Sequence, residues 1–208
     1  MKSSREDILK RIDAAKLGMD STAPPRHYVT DSKLSREELL ELLEDRILDY
    51  KATFTRTTDV ASTIAALISE YELEKIVIPA GLPTEWVQGT RDLDFSSTEL
   101  DEFDAVITAS EVSIAVTGTI ILNHSRDDQG RRAISLVPDT HICVVSVESV
   151  VGTVVEAVRS LNAKDHQTWI SGPSATSDIE LERVEGVHGP RNLHVILDLT
   201  PLKDSKKK

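Results

Sequence analysis

Four short apolar runs set the plan of this chain: Lys75-Ile-Val-Ile-Pro79, Asp104-Ala-Val-Ile-Thr108, His141-Ile-Cys-Val-Val145 and Asn192-Leu-His-Val-Ile-Leu-Asp198. Each is of strand length and nearly continuous in its hydrophobicity, the pattern of a strand covered on both faces. A shorter strand, Ala52-Thr-Phe-Thr-Arg56, precedes them. After it, Asp59 caps a helix carrying Val60, Ile64, Leu67, Ile68 and Tyr71 on one side. Strands alternating with helices predict an α/β fold, a mixed but largely parallel sheet with helices on both faces. Trp86, in the loop through Gly81 and Pro83, is expected in the core.

The middle of the chain departs from that alternation. Val112-Ser-Ile-Ala-Val116 and Ile120-Ile-Leu122 flank Thr117-Gly118-Thr119, and Arg131-Arg-Ala-Ile-Ser-Leu-Val137 reads as a further strand ending at Pro138. Consecutive strands between 104 and 145 predict an antiparallel or irregular insertion in the parallel plan. Ser146 then opens a predicted helix with Val147, Val150, Val151, Val154, Val155 and Val158 at helical spacing, despite their β-branching. Gln167-Thr-Trp-Ile170 leads into a glycine-containing stretch.

The N-terminal part is helix-only. Residues 4–17 place Ile8, Leu9, Ile12 and Ala15 on one face; Pro24 and Pro25 then break the pattern. Ser35 and Glu38 form a capping box ahead of Leu39, Leu40, Leu43, Ile47 and Leu48. Residues 1–51 are therefore expected as a helical appendage containing a mobile linker at 18–34. Residues 52–203 are expected as the α/β domain, and 204–208 as a basic tail.

Charge and cysteine content narrow the function. The chain has 208 residues and a net charge of −11, which argues against nucleic acid or an anionic membrane as partner. The single cysteine, Cys143, can form no internal disulfide and cannot by itself hold a thiolate-ligated cluster. Its apolar setting predicts an inert buried thiol. No stretch reaches the roughly 18 apolar residues of a membrane span, and no apolar signal core follows the first residues, so a cytoplasmic protein is expected. The six histidines show no tight ligand spacing, so neither a metal site nor a cofactor is expected.

Two glycine turns can carry chemistry. Thr117-Gly118-Thr119, between strands, is either a tight bend or a place where backbone and hydroxyls approach a ligand. Ser171-Gly172-Pro173-Ser174 follows a strand and resembles an anion-cradling turn, although it is neither a Walker loop nor a nucleophile elbow. Asp178 stands beside it, and His188, between Gly186 and Gly189, can titrate near neutral pH. His141 opens a strand and can face the same crevice, whereas His194 among apolar neighbours reads as a satisfied core histidine. The two turns are expected to meet at the carboxyl ends of strands, with Asp178 and His188 at the rim of an electropositive pocket and Glu111 or His141 reaching it. The ligand expected there is a small carboxylate or a phosphorylated metabolite.

The same segments carry a family resemblance. Ser171-Gly172-Pro173-Ser174, Asp178-Ile179-Glu180 and Gly186-Val187-His188-Gly189-Pro190 resemble the terminal signature of the LUD-domain lactate-utilisation family, close to its C-subunit type. Ile114-Ala115-x-Thr117-Gly118-Thr119, then an arginine and Pro138-x-x-His141, is similar to its central motif. The resemblance implies a fold similar to the NagB/RpiA/CoA-transferase-like group. It also implies a component of an L-lactate-oxidising system that holds no iron–sulfur centre and works with partner subunits that do. The family's usual acid before the first threonine is Val116 here, which leaves Glu111, Asp178 and His188 as the candidate acid–base groups. Two other readings fit the residues: a stand-alone enzyme of the same fold group acting on a sugar phosphate, CoA thioester or folate-like acid, and a carboxylate-sensing binding module.

Overall fold

The computed structural model describes residues 4–17, 29–176, 184–185 and 188–200. The apolar runs assemble into a six-stranded, all-parallel sheet. Its strands are β1 (Thr53–Thr57), β2 (Ile76–Ile78), β3 (Thr90–Arg91), β4 (Ala105–Ala109), β7 (Thr140–Ser146) and β12 (Asn192–Asp198), in the order β1-β12-β7-β4-β2-β3. The strand period of two divides the side chains of the central strands between two cores. Ile142, Val144 and Ile196 pack with Ile107 against Val60, Ile64 and Leu67 of helix α3 (Val60–Glu70), whose cap is Asp59. Cys143, Val145, Val195 and Leu197 point the other way.

That second face is covered by a helix and by another sheet. Helix α2 (Arg36–Asp49) starts at the predicted Ser35–Glu38 capping box and buries Leu40, Leu43 and Ile47. Beside it lies a four-stranded mixed sheet in the order β8-β5-β6-β9, from β5 (Val112–Ile114), β6 (Thr119–Asn123), β8 (Val150–Val151) and β9 (Gln167–Ile170). Strands β5 and β6 pair antiparallel around Gly118, the predicted insertion. The small sheet's inner face adds Ile120 and Leu122 to the α2 core. Its outer face, Val112, Ile114 and Ile121, is covered by Ala157 of helix α5 (Val154–Ser160).

Three local expectations differ. First, α2 is not an appendage: Leu43 is 0% and Ile47 is 1% exposed inside the principal core, so the packing does not divide at Lys51. Helix α1 (Ser4–Lys16) buries no residue. Residues 29–34 of the expected linker are pinned, with Asp31 paired to Arg159 at 2.6 Å and the Ser32 amide donating to Glu156 at 2.9 Å. Residues 18–28 lie outside the described residues. Second, 131–137 is a 3-10 turn (Arg132–Ser135) rather than a strand. Arg131 is clamped onto Asp92 by two bonds of 2.6 and 2.9 Å, which turns the chain and sends Ile134 and Ser135 inward. Third, the valine-rich stretch splits. Ser146 caps a single 3-10 turn (Val147–Ser149), Val150 and Val151 add a strand to β5, and α5 begins later at a Thr153–Glu156 capping box. Gly152 marks the break, because a Cβ there would lie 2.1 Å from that of Ser32.

Trp86 packs at the edge of the α3 core. A two-residue hairpin, β10 (Ala175–Thr176) with β11 (Val184–Glu185), follows the Ser171–Ser174 turn. Among the described residues no helix is long and apolar enough to cross a membrane.

Candidate functional site

Between the two sheets lies a cleft of about 340 Å³, the size that takes a small metabolite. Its floor is His141 and Leu193, at the first turns of β7 and β12. One wall is Thr168 and Ile170 of β9, continued by the Ser171–Ala175 segment. The opposite side is Arg132, Ser135 and Leu136 of the 3-10 turn, and His188, Gly189 and Pro190 close the end. The cleft thus opens at the amino ends of the large sheet's strands, not at their carboxyl ends as expected. It lies instead at the carboxyl end of β9, in the small sheet.

The two glycine turns do meet there. Ser171 Oγ is 2.9 Å from Thr119 Oγ1, which is 2.7 Å from Thr117 Oγ1, a chain of three hydroxyls. Only the Ser171 end reaches the cleft lining. Gly118 and Gly172 both have positive φ, +59° and +80°, a conformation that favours glycine. Their open sides face α2: a Cβ on Gly118 would lie 2.8 Å from Arg46 Cβ, and one on Gly172 would lie 2.6 Å from Tyr50 Cβ. Their lack of a Cβ therefore serves close approach to α2 and the residue that ends it, while Gly172 also lines the cleft.

Ser174 fastens the closing loop. Its amide donates to Pro190 O at 2.8 Å and its hydroxyl accepts from the His188 amide at 3.1 Å. His188 itself is exposed, at the rim. Asp178 lies outside the described residues. Glu111 is absent from the lining; it sits at the far end of β5 from Thr117, accepting from Gln129 at 3.2 Å and lying 3.6 Å from Arg126. Val116, where the family resemblance leads one to look for an acid, is an exposed apolar residue.

Charge in the cleft is one-sided. Arg132 supplies a guanidinium, and among the described residues no carboxylate lines the cleft. In a protein of net charge −11 this is a local cationic spot. His141 is buried and uncharged, because burial drives its pKa down to about 4. Its Nε2 is 2.8 Å from Thr108 Oγ1. Cys143 lies beyond, completely buried, its thiol pushed up to about 12 by burial. His194 is the satisfied core histidine expected, with Thr53 and Thr55 hydroxyls 2.7 and 2.9 Å from its two ring nitrogens.

Arg132, Ser135, Thr168 and Leu193 are lining residues that sequence reasoning did not single out. For Arg132 a signal existed, the arginine between the Thr-Gly-Thr turn and Pro138. Reading 131–137 as a strand hid which side chain it was. Among the described residues no group of three or more His, Cys, Asp and Glu side chains could hold a metal ion.

Comparison with known proteins places this geometry. A family model, the LUD domain, matches residues 27–197, a span that includes α2, in keeping with its burial. Lactate utilization protein C of Deinococcus radiodurans is 46% identical over 202 residues, covering 92% of this chain and 93% of that protein. The Bacillus subtilis protein of the same name is 35% identical, covering 93% and 95%. A crystal structure of a DUF162 family protein from Deinococcus radiodurans superposes with a TM-score of 0.68 at 43% identity, covering 79% of this chain and 98% of that one.

Proposed function

Because the chain belongs to the LUD domain family, among relatives named lactate utilization protein C, we propose that it is the component of an L-lactate utilisation system that holds no iron–sulfur centre. In this reading it binds a small anionic metabolite in the cleft between the sheets, and electron-carrying centres belong to partner subunits. The observation that carries the ligand class is Arg132 above a lining that, among the described residues, holds no carboxylate, in an otherwise strongly acidic protein. A carboxylate brought there meets a guanidinium able to bind it through two parallel bonds. Ser171 and Ser174 hydroxyls lie along the same wall.

The division of labour rests on the thiol content. One buried cysteine with a raised pKa offers no accessible thiolate. Electrons leaving lactate therefore cannot rest on an iron–sulfur centre that this chain ligates alone.

The test is reconstitution. The purified chain, given L-lactate and an artificial electron acceptor, should show no turnover, and activity should appear when iron–sulfur subunits of such a system are added. Sustained lactate oxidation by the isolated chain would overturn the division of labour.

A further inference from the structure

We propose that the cleft takes an acylated amino-acid unit, its carboxylate at Arg132 and its N–H and carboxyl oxygen added to the open edge of β9 at Trp169. This is the chemistry of an N-acylamino acid and of the C-terminal end of a peptide. The inference rests on the reading above that the cleft holds an anion, and it names the class of that anion.

The wall offers main chain rather than side chains. It runs from Thr168 to Ala175 without a gap. Successive side chains of a strand point to opposite faces, so an unbroken run of lining residues means that the strand's edge borders the cleft. Trp169 shows this most clearly. Ile170 packs into the principal core on one face. The Trp169 ring lies on the other, 42% exposed, in a groove with Val158 and Leu161. What Trp169 gives the cleft is therefore its backbone.

The ladder fixes which way that backbone points. Strand β9 is the last of its sheet and pairs on one side with β6. In an antiparallel ladder a residue turns both its N–H and its C=O to its partner or both away, in alternation. The His124 N–H donates to His166 O at 2.9 Å, which sets the phase. Leu122 with Thr168, and Ile120 with Ile170, then exchange bonds. Trp169, between them, turns both groups away from β6, and neither has a partner among the described residues. Such an edge is a template for another extended segment. At the closed end of the cleft main chain already meets main chain, since the Ser174 N–H donates to Pro190 O at 2.8 Å.

The complement follows from geometry. A single trans amide holds its N–H and C=O on opposite sides and can meet only one of the two Trp169 groups. An N–H and a carboxyl group on either side of one carbon can meet both. One carboxylate oxygen then accepts from the Trp169 N–H and the other faces the Arg132 guanidinium. A free amino acid would bring an ammonium beside Arg132 and, among the described residues, find no carboxylate in the lining. Acylation removes that charge and keeps the N–H.

The test is calorimetry on the full chain with N-acetylglycine, N-acetylsarcosine, in which a methyl replaces the amide hydrogen, and propionate as a plain anion. N-acetylglycine should bind about tenfold more tightly than N-acetylsarcosine, as expected for one hydrogen bond gained against an acceptor left unmet. Amide hydrogen exchange gives a readout independent of affinity: at saturation with N-acetylglycine the Trp169 N–H should exchange about tenfold more slowly or less. N-acetyltriglycine separates the two sources. Tighter binding than N-acetylglycine assigns the cleft to peptide ends, and equal or weaker binding assigns it to small acylamino acids. Equal binding of N-acetylglycine and N-acetylsarcosine, an unprotected Trp169 N–H, or binding of propionate alone would overturn the edge proposal while leaving the anion cleft standing. Failure of every one of these anions to bind would overturn the cleft reading itself, and with it this inference.

Discussion

Gly118 and Gly172 rest on consecutive turns of one helix, the first against Arg46 and the second against Tyr50. Helix α2 is thus a common seat for the two turns whose hydroxyls meet at Thr119 and Ser171. The arrangement explains why both positions need a residue without a Cβ in the left-handed region. It also makes α2, rather than any ligand, the element that fixes the height of the cleft's Ser171 wall.

Gly118→Val and Gly172→Val should each destabilise by roughly 2 kcal/mol or more. The left-handed conformation alone costs a branched residue about 1–2 kcal/mol, and the new methyls press on helix backbone and Cβ atoms. Urea unfolding checks this. An effect within about 0.5 kcal/mol, the range of a neutral surface change, would mean that α2 does not seat the turns.

The boundary of the domain can be tested by contrast. Leu43→Ala, at a fully buried site, should cost about 2–5 kcal/mol. Deleting residues 1–17 should leave the unfolding midpoint unchanged, since α1 buries nothing. A large loss on the deletion would show that α1 belongs to the core.

The strands of the large sheet were legible because β4, β7 and β12 are continuous apolar runs, a pattern few other structures satisfy. The valine stretch after Ser146 was not. Six valines at helical spacing are also good strand residues, and what divides them is Gly152 against Ser32, a contact made by a distant part of the chain. Arg132 was hidden for a similar reason. Its 3-10 turn depends on Arg131 reaching Asp92, 39 residues away, which no local pattern records. The Thr119–Ser171 meeting was foreseen from strand ends, but on the wrong sheet: the carboxyl-end rule works here for β5 and β9, not for the large parallel sheet.

Asp92→Asn tests that turn. Burial pushes the Asp92 carboxyl up, but the hydrogen bonds and charge of Arg131, together with the Phe95 and Asp94 amides, outweigh it and hold the group below its usual range. Losing the charge should cost about 1.5–3 kcal/mol, the range of a charged hydrogen bond. It should also loosen the Arg132 side of the cleft, seen as faster amide exchange at 132–136. Unchanged exchange there would detach the turn from the clamp.

Stability should fall as pH drops from about 6.5 towards 4. His141 is uncharged in the fold, with a pKa of about 4, whereas in the unfolded chain it titrates near 6.5. Below 6.5 the unfolded chain therefore binds a proton that the native state refuses. The loss from His141 alone approaches about 3 kcal/mol at the acid end and is absent above pH 7. His194, likewise at about 4, acts in the same direction. Melting temperatures from pH 8 to 4.5 check the sign, and His194→Gln should flatten part of the fall. A profile with no decline between 6.5 and 4.5 would contradict the burial of both rings.

The anion cleft is tested most directly by thermal shift and calorimetry with L-lactate, pyruvate and inorganic phosphate on the full chain and on Arg132→Gln. Ligands that bind only the native state raise its melting temperature by mass action. The wild type should be stabilised by at least one of these anions at millimolar concentration. Arg132→Gln, changed at an exposed side chain, should melt at the same temperature without ligand and lose that response. A wild type that ignores all three anions, or an Arg132→Gln protein that responds as the wild type does, would contradict the account.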